Sequence, residues 1–102
     1  MKTKVLRKLF LGFIQLHILH HANQAPFFGS WMMEELREHG YDISPGTLYP
    51  ILHSMEKNGL LYQKESKEQG KIRKYYSITP LGIDVLETGK KQAKELVDEI
   101  ID

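Results

Sequence analysis

Cysteine is missing from all 102 residues, which removes disulfide frameworks, cysteine-based zinc sites and thiol nucleophiles together. Tryptophan occurs once, at Trp31. No apolar run reaches the roughly 18–20 residues of a membrane-spanning helix. The richest stretch, residues 9–19, is interrupted by Gly12, Gln15 and His17. Lys2, Lys4, Arg7 and Lys8 ahead of it imitate a signal peptide, yet His20-His21-Ala22-Asn23-Gln24 follows where a small-residue cleavage site belongs. The expected location is the cytoplasm. A Gly-rich phosphate loop, carboxylates paired in a cleft-like context and a Ser/His/Asp order are all absent, so an enzyme is not expected. Repeats, low-complexity segments and linkers are absent too.

What remains fits one folded domain: 41% of residues are hydrophobic and 26% charged. A domain this short buries little for itself, so surplus apolar surface points to an oligomer. The formal net charge of +1 conceals an uneven distribution. Residues 1–50 carry +1, residues 51–76 carry +3 and residues 77–102 carry −3, so a basic middle is cancelled by an acidic tail.

Hydrophobic periodicity predicts a helix over residues 3–21 that is apolar on nearly every face, with Val5, Leu6, Leu9, Phe10, Phe13, Ile14, Leu16 and Leu19 on its main side. Asn23-Gln24-Ala25-Pro26 breaks it. A second helix is expected over residues 29–39, with Trp31, Met32, Leu36 and Met33 inward and Gly40 as its stop. Ser44 as N-cap and Pro45 at the first helical position open a third helix running to about Asn58, ended by Gly59. Leu48, Ile51 or Leu52, and Met55 form its inward stripe, and Pro50 is expected to distort its first turn. Residues 60–65 and 72–78 read as a hairpin around a polar turn at 66–71, with Tyr76 and Ile78 inward. Thr79 and Pro80 open a last helix with an apolar face at Ile83, Leu86, Ala93, Leu96, Val97, Ile100 and Ile101. Gly82 and Gly89 weaken that helix by roughly 1 kcal/mol each against Ala, so packing must hold it.

The order α-α-α-β-β-α, mainly α with a small β-hairpin, describes a winged helix-turn-helix, in which the second helix of the pair enters the major groove. The face of the third helix opposite its core stripe carries Gly46, Thr47, Tyr49, Pro50, His53 and Lys57. Its N-terminus offers free N–H groups and a positive dipole end to phosphate. The hairpin supplies Lys64, Lys67, Lys71, Arg73 and Lys74 for the backbone or minor groove. Double-stranded DNA is therefore the expected partner.

The run Ile43-Ser44-Pro45-Gly46-Thr47-Leu48-Tyr49-Pro50-Ile51-Leu52, then Met55-Glu56-Lys57-Asn58-Gly59-Leu60-Leu61, resembles the signature of PadR-type transcriptional regulators. Arg73-Lys74-Tyr75-Tyr76-Ser77-Ile78-Thr79-Pro80-Leu81-Gly82 extends the likeness, which covers about residues 6–86. Phe28-Gly29-Ser30-Trp31 departs from a His-Gly-Tyr-like run of that family, which bears on the shape of an effector pocket and not on the reading helix. The resemblance implies a dimeric repressor of the short subfamily on an inverted-repeat operator, with DNA contacts at Ser44, Pro45, Gly46, Thr47, Tyr49 and the basic hairpin. It also implies a dimer formed by the first and last helices. Their apolar groups Leu6, Leu9, Phe10, Phe13, Leu86, Ala93, Leu96, Val97 and Ile100 are the interface residues expected here. Residues 1–78 would form the DNA-binding domain and residues 79–102 the dimerisation helix.

Trp31 is a candidate for holding a small-molecule effector. His17 and His21 have the four-residue spacing of a metal pair, but no Asp, Glu or Cys nearby in sequence completes a site, so no cofactor is expected. A winged helix that binds a protein partner and a metal-responsive sensor built on His17 and His21 are the alternatives.

Overall fold

The structure, a computed structural model, describes residues 1–101. Its elements are α1 (Lys2–Gln24), α2 (Gly29–Glu38), α3 (Pro45–Lys57), β1 (Leu61–Glu68), β2 (Lys71–Ile78) and α4 (Pro80–Ile100), the expected order. One core unites them: Ile14, Ile18 and Leu19 of α1, Met32, Met33 and Leu36 of α2, Leu48, Leu52 and Met55 of α3, with Ile43, Leu61, Tyr76 and Leu86. Helix α1 runs past residue 21 because His21 and Ala22 are still buried.

The helix ends follow local chemistry. At Gly40 (φ 92) the Tyr41 N–H reaches the Leu36 carbonyl and the Gly40 N–H that of Arg37, closing α2 in a Schellman turn. Gly59 (φ 78) closes α3 the same way, through Leu60 to Met55 and Gly59 to Glu56. The Thr79 hydroxyl accepts from the Gly82 N–H at 2.9 Å, capping α4. Ser44 occupies the N-cap of α3, but its hydroxyl lies 3.3 Å from the Thr47 hydroxyl instead of bonding a backbone N–H. Helix α3 is continuous through Pro50. Thr47 and Leu48 N–H both bond the Ser44 carbonyl, and Pro50 itself is on the exposed side.

Three expectations need correction. Trp31 is 42% exposed, not inward; α2 turns Met32, Met33 and Leu36 to the core instead. Leu86 is 2% exposed and packed in the chain's own core, so it is not a surface group for a second subunit. The hairpin's turn is two residues, Gln69-Gly70, because the strands extend through the polar segment to Glu68 and from Lys71. Positive φ at both (51° and 77°) is the type I′ geometry that matches strand twist.

The hairpin is anchored by Phe27, which precedes α2. Phe27 N–H bonds the Tyr76 carbonyl at 3.1 Å and Tyr76 N–H the Phe27 carbonyl at 2.8 Å, and the two rings stack 5.5 Å apart. The Gln63 amide donates to Glu56 Oε1 on α3 and to the Tyr76 hydroxyl. The wing is thereby fixed to α3 and to the segment that leads into α2.

Helix α4 packs closely at its glycines, against the hairpin base at Gly82 and against α1 at Gly89. A Cβ on Gly82 would collide with the Leu60 carbonyl and lie 2.7 Å from Ile78 Cγ1; one on Gly89 would lie 2.8 Å from Leu16 Cδ1. The glycines that weaken α4 as an isolated helix are those that let it dock.

Candidate nucleic-acid interface

Burying Leu48, Leu52 and Met55 leaves the opposite face of α3 open: Gly46, Tyr49, Pro50, His53 and Lys57 are exposed and Thr47 half-buried. Ser44 and Pro45 are exposed at the helix start, where the unused Ser44 cap leaves the Gly46 N–H for an external acceptor. The Tyr49 ring passes over the start of α2, so close to Gly29 that a Cβ there would lie 2.6 Å from its hydroxyl. Tyr49 is thus partly spent on holding α2 against α3, a role the sequence reading missed. A hollow of about 400 Å³ separates α3 from the wing, lined by Tyr49, His53, Gln63, Arg73 and Lys74 among others.

Strand alternation divides the five wing cations, all exposed. The register Gln63↔Tyr76, Glu65↔Lys74 and Lys67↔Ile72 puts Lys67 and Lys74 on the face of the buried Tyr76. Lys64, Arg73 and Lys71 share the other face with Tyr75. Arg73 is held 4.9 Å over the Phe28 ring, a cation–π contact, and the Tyr75 hydroxyl donates to Glu68. Lys74 lies opposite Glu65 and Lys71 opposite Glu68, so the positive field is moderated on both faces.

On α1 and α4, Leu9, Phe10, Phe13, Leu96, Val97 and Ile100 are each 42–65% exposed, with Leu6 and Ala93 half-buried. An apolar groove of about 460 Å³ runs between α1 and α4, with Phe13, Leu16, Val85 and Leu96 in its walls. Trp31 borders a smaller hollow of about 310 Å³ with His21, Phe27, Phe28 and Tyr75.

His17 and His21 stack on one face of α1, and the fold brings His39, at the end of α2, against them. Burial pushes the His17 imidazole below its ordinary pKa, helped by His39, His21 and His20. Burial lowers that of His21 as well, outweighing the attraction of Glu35. His39 was not found from sequence, since no local spacing links it to α1.

An exposed polar helix beside a basic two-stranded wing, on a three-helix core, defines a winged helix-turn-helix regulator. The model of the transcriptional regulator PadR-like family matches residues 18–88. Over 88 residues the chain is 42% identical to transcriptional regulator Rv3488 of Mycobacterium tuberculosis, covering 86% of this chain and 82% of that one. A PadR family transcriptional regulator from Eggerthella lenta superposes with a TM-score of 0.81 at 30% identity, covering 96% and 87% of the two chains. A Streptococcus transcriptional regulator gives 0.82 at 28%, covering 90% and 92%. The chain belongs to the PadR-like family of transcriptional regulators; it is a regulator, not an enzyme. Among the described residues no helix is long and apolar enough to cross a membrane.

Proposed function

We propose that the chain acts in the cytoplasm as a homodimeric repressor that binds an inverted-repeat operator. Helix α3 enters the major groove, and Ser44, Pro45, Gly46 and Thr47 at its N-terminus approach phosphate. Tyr49, His53 and Lys57 lie along the groove, with His53 reading base edges. Lys64, Lys67, Lys71, Arg73 and Lys74 of the wing take the flanking backbone or minor groove. The observation that carries this reading is the juxtaposition of the open α3 face with the wing cations across one hollow.

The second subunit covers Leu6, Leu9, Phe10, Phe13, Ala93, Leu96, Val97 and Ile100, whose exposure in a single chain leaves apolar surface on both α1 and α4. Residues 1–78 then carry the DNA-binding unit and residues 79–102 the dimerisation helix. Two reading helices on successive major-groove faces stand about 34–36 Å apart. A small molecule that prefers one dimer geometry shifts that spacing and relieves repression. The exposed edge of Trp31 beside its hollow is where a flat effector would rest.

A gel shift on the DNA upstream of the chain's own transcription unit tests the reading. His53→Ala should weaken binding to that DNA more than to a random duplex. Equal loss on both removes His53 from base readout, and no binding to either removes the proposal.

A further inference from the structure

His17, His21 and His39 each offer a ring nitrogen within 4.8 Å of the others, although they come from two helices. Glu35, one turn before His39 on α2, places Oε1 3.3 Å from His39 Nε2 and 3.5 Å from His21 Nε2. His21 is only 9% exposed, and its Nε2 has no hydrogen-bond partner. A buried, unpaired polar atom is costly to maintain and calls for a missing partner. Here it points into a cluster of two further imidazoles and a carboxylate.

From this geometry we infer a zinc site formed by His17, His21 and His39, with Glu35 as the fourth ligand or as the acceptor that orients the rings. Imidazole and carboxylate are donors that zinc and its neighbouring divalent ions accept, and four are what a tetrahedral site needs. Zinc–nitrogen bonds of about 2.0–2.1 Å set tetrahedral nitrogens a little over 3 Å apart. Binding would draw the nitrogens together from the observed separation, and His17 and His39 are the two less buried rings.

The ligands come from the C-terminal part of α1 and from α2 up to its C-cap, immediately before Gly40 and the turn into α3. A bound cation would join the helix that carries part of the exposed apolar face to the helix that supports α3. The site lies apart from the α3–wing face and does not depend on the DNA reading.

The test is a calorimetric titration of Zn²⁺ alone into the untagged, chelator-treated full chain, with Co²⁺ replacing zinc to report coordination by its visible spectrum. One equivalent per chain, a higher melting temperature with zinc and a tetrahedral Co²⁺ spectrum are expected. His39→Gln should weaken binding by at least about tenfold, the scale on which even supporting partners act. Its ring is 43% exposed, so the fold should survive, and the metal-free melting temperature checks that. His39→Cys should retain binding and add a sulfur-to-cobalt charge-transfer band. His20→Gln, one residue from the cluster, should leave affinity unchanged. Absence of micromolar zinc binding, equal affinity in wild type and His39→Gln, or an equal loss in His20→Gln would each overturn the site.

Discussion

Replacing Gly82 by Ala would ordinarily stabilise a helix, by about 1 kcal/mol from propensity alone. In this fold it should do the opposite. The added Cβ meets the Leu60 carbonyl and Ile78 Cγ1, and Leu60 O already accepts from the Thr79 N–H at 3.1 Å. Backbone cannot turn aside as a side-chain tip can, so the first turn of α4 must lift. Overpacking of this kind costs about 1–3 kcal/mol, and a backbone obstacle belongs at the upper end. Net of the propensity gain, a loss of about 2 kcal/mol is expected, or about 10 °C in melting temperature for a domain of this size. Gly89→Ala is the internal comparison, because its obstacle is the end of the Leu16 side chain, which can change rotamer. That variant should lie within about 1 kcal/mol of wild type, its propensity gain offset by the Leu16 adjustment. Thermal and urea denaturation at one fixed protein concentration read both, since association also shifts the midpoint. A Gly82→Ala chain as stable as wild type, or less affected than Gly89→Ala, would refute the close docking of α4.

Other perturbations reach different parts of the account. Thr79→Ala removes the hydroxyl that caps α4 and should cost about 1–2 kcal/mol in urea denaturation, whereas Thr79→Ser should keep most of it. Gln69→Asn places a residue suited to positive φ at the first turn position of the wing, and should raise stability by a few tenths of a kcal/mol, on the order of the turn preference itself. Phe13→Glu puts a carboxylate in the groove between α1 and α4; sedimentation at micromolar concentration should show a dimer for wild type and a monomer for the variant. A wild-type chain that is monomeric yet binds its operator specifically would remove the dimer from the mechanism.

Features governed by neighbours in sequence were readable from it. Gly40 and Gly59 as helix stops and Pro80 after a Thr79 cap need only local backbone chemistry, and the structure contains each; the α3 stripe of Leu48, Ile51 or Leu52, and Met55 needs only helical spacing, and the structure buries Leu52. Trp31 was misplaced because three apolar residues in a row, 31–33, leave the inward direction of a short helix to tertiary packing. The wing's strands were drawn short because residues 64–68 project beyond the core, so no apolar alternation marks them; cross-strand hydrogen bonds alone define their length. Phe27 gave no signal since a single bridge pair has no period. Half of the histidine cluster was visible as an i, i+4 pair on α1. The other half arrives with α2, and only the packed fold brings His39 and Glu35 to it.

The claim that α3 and the wing form a DNA-binding face is tested most directly by affinity for the upstream DNA and for a random duplex across a salt series, in wild type and Lys74→Ala. The account predicts tighter binding to the upstream DNA, with log affinity falling linearly with log salt. Lys74→Ala should weaken both duplexes alike and reduce the slope by about 0.9, one phosphate contact. Equal affinity for the two duplexes in wild type, or a slope that Lys74→Ala leaves unchanged, would contradict it.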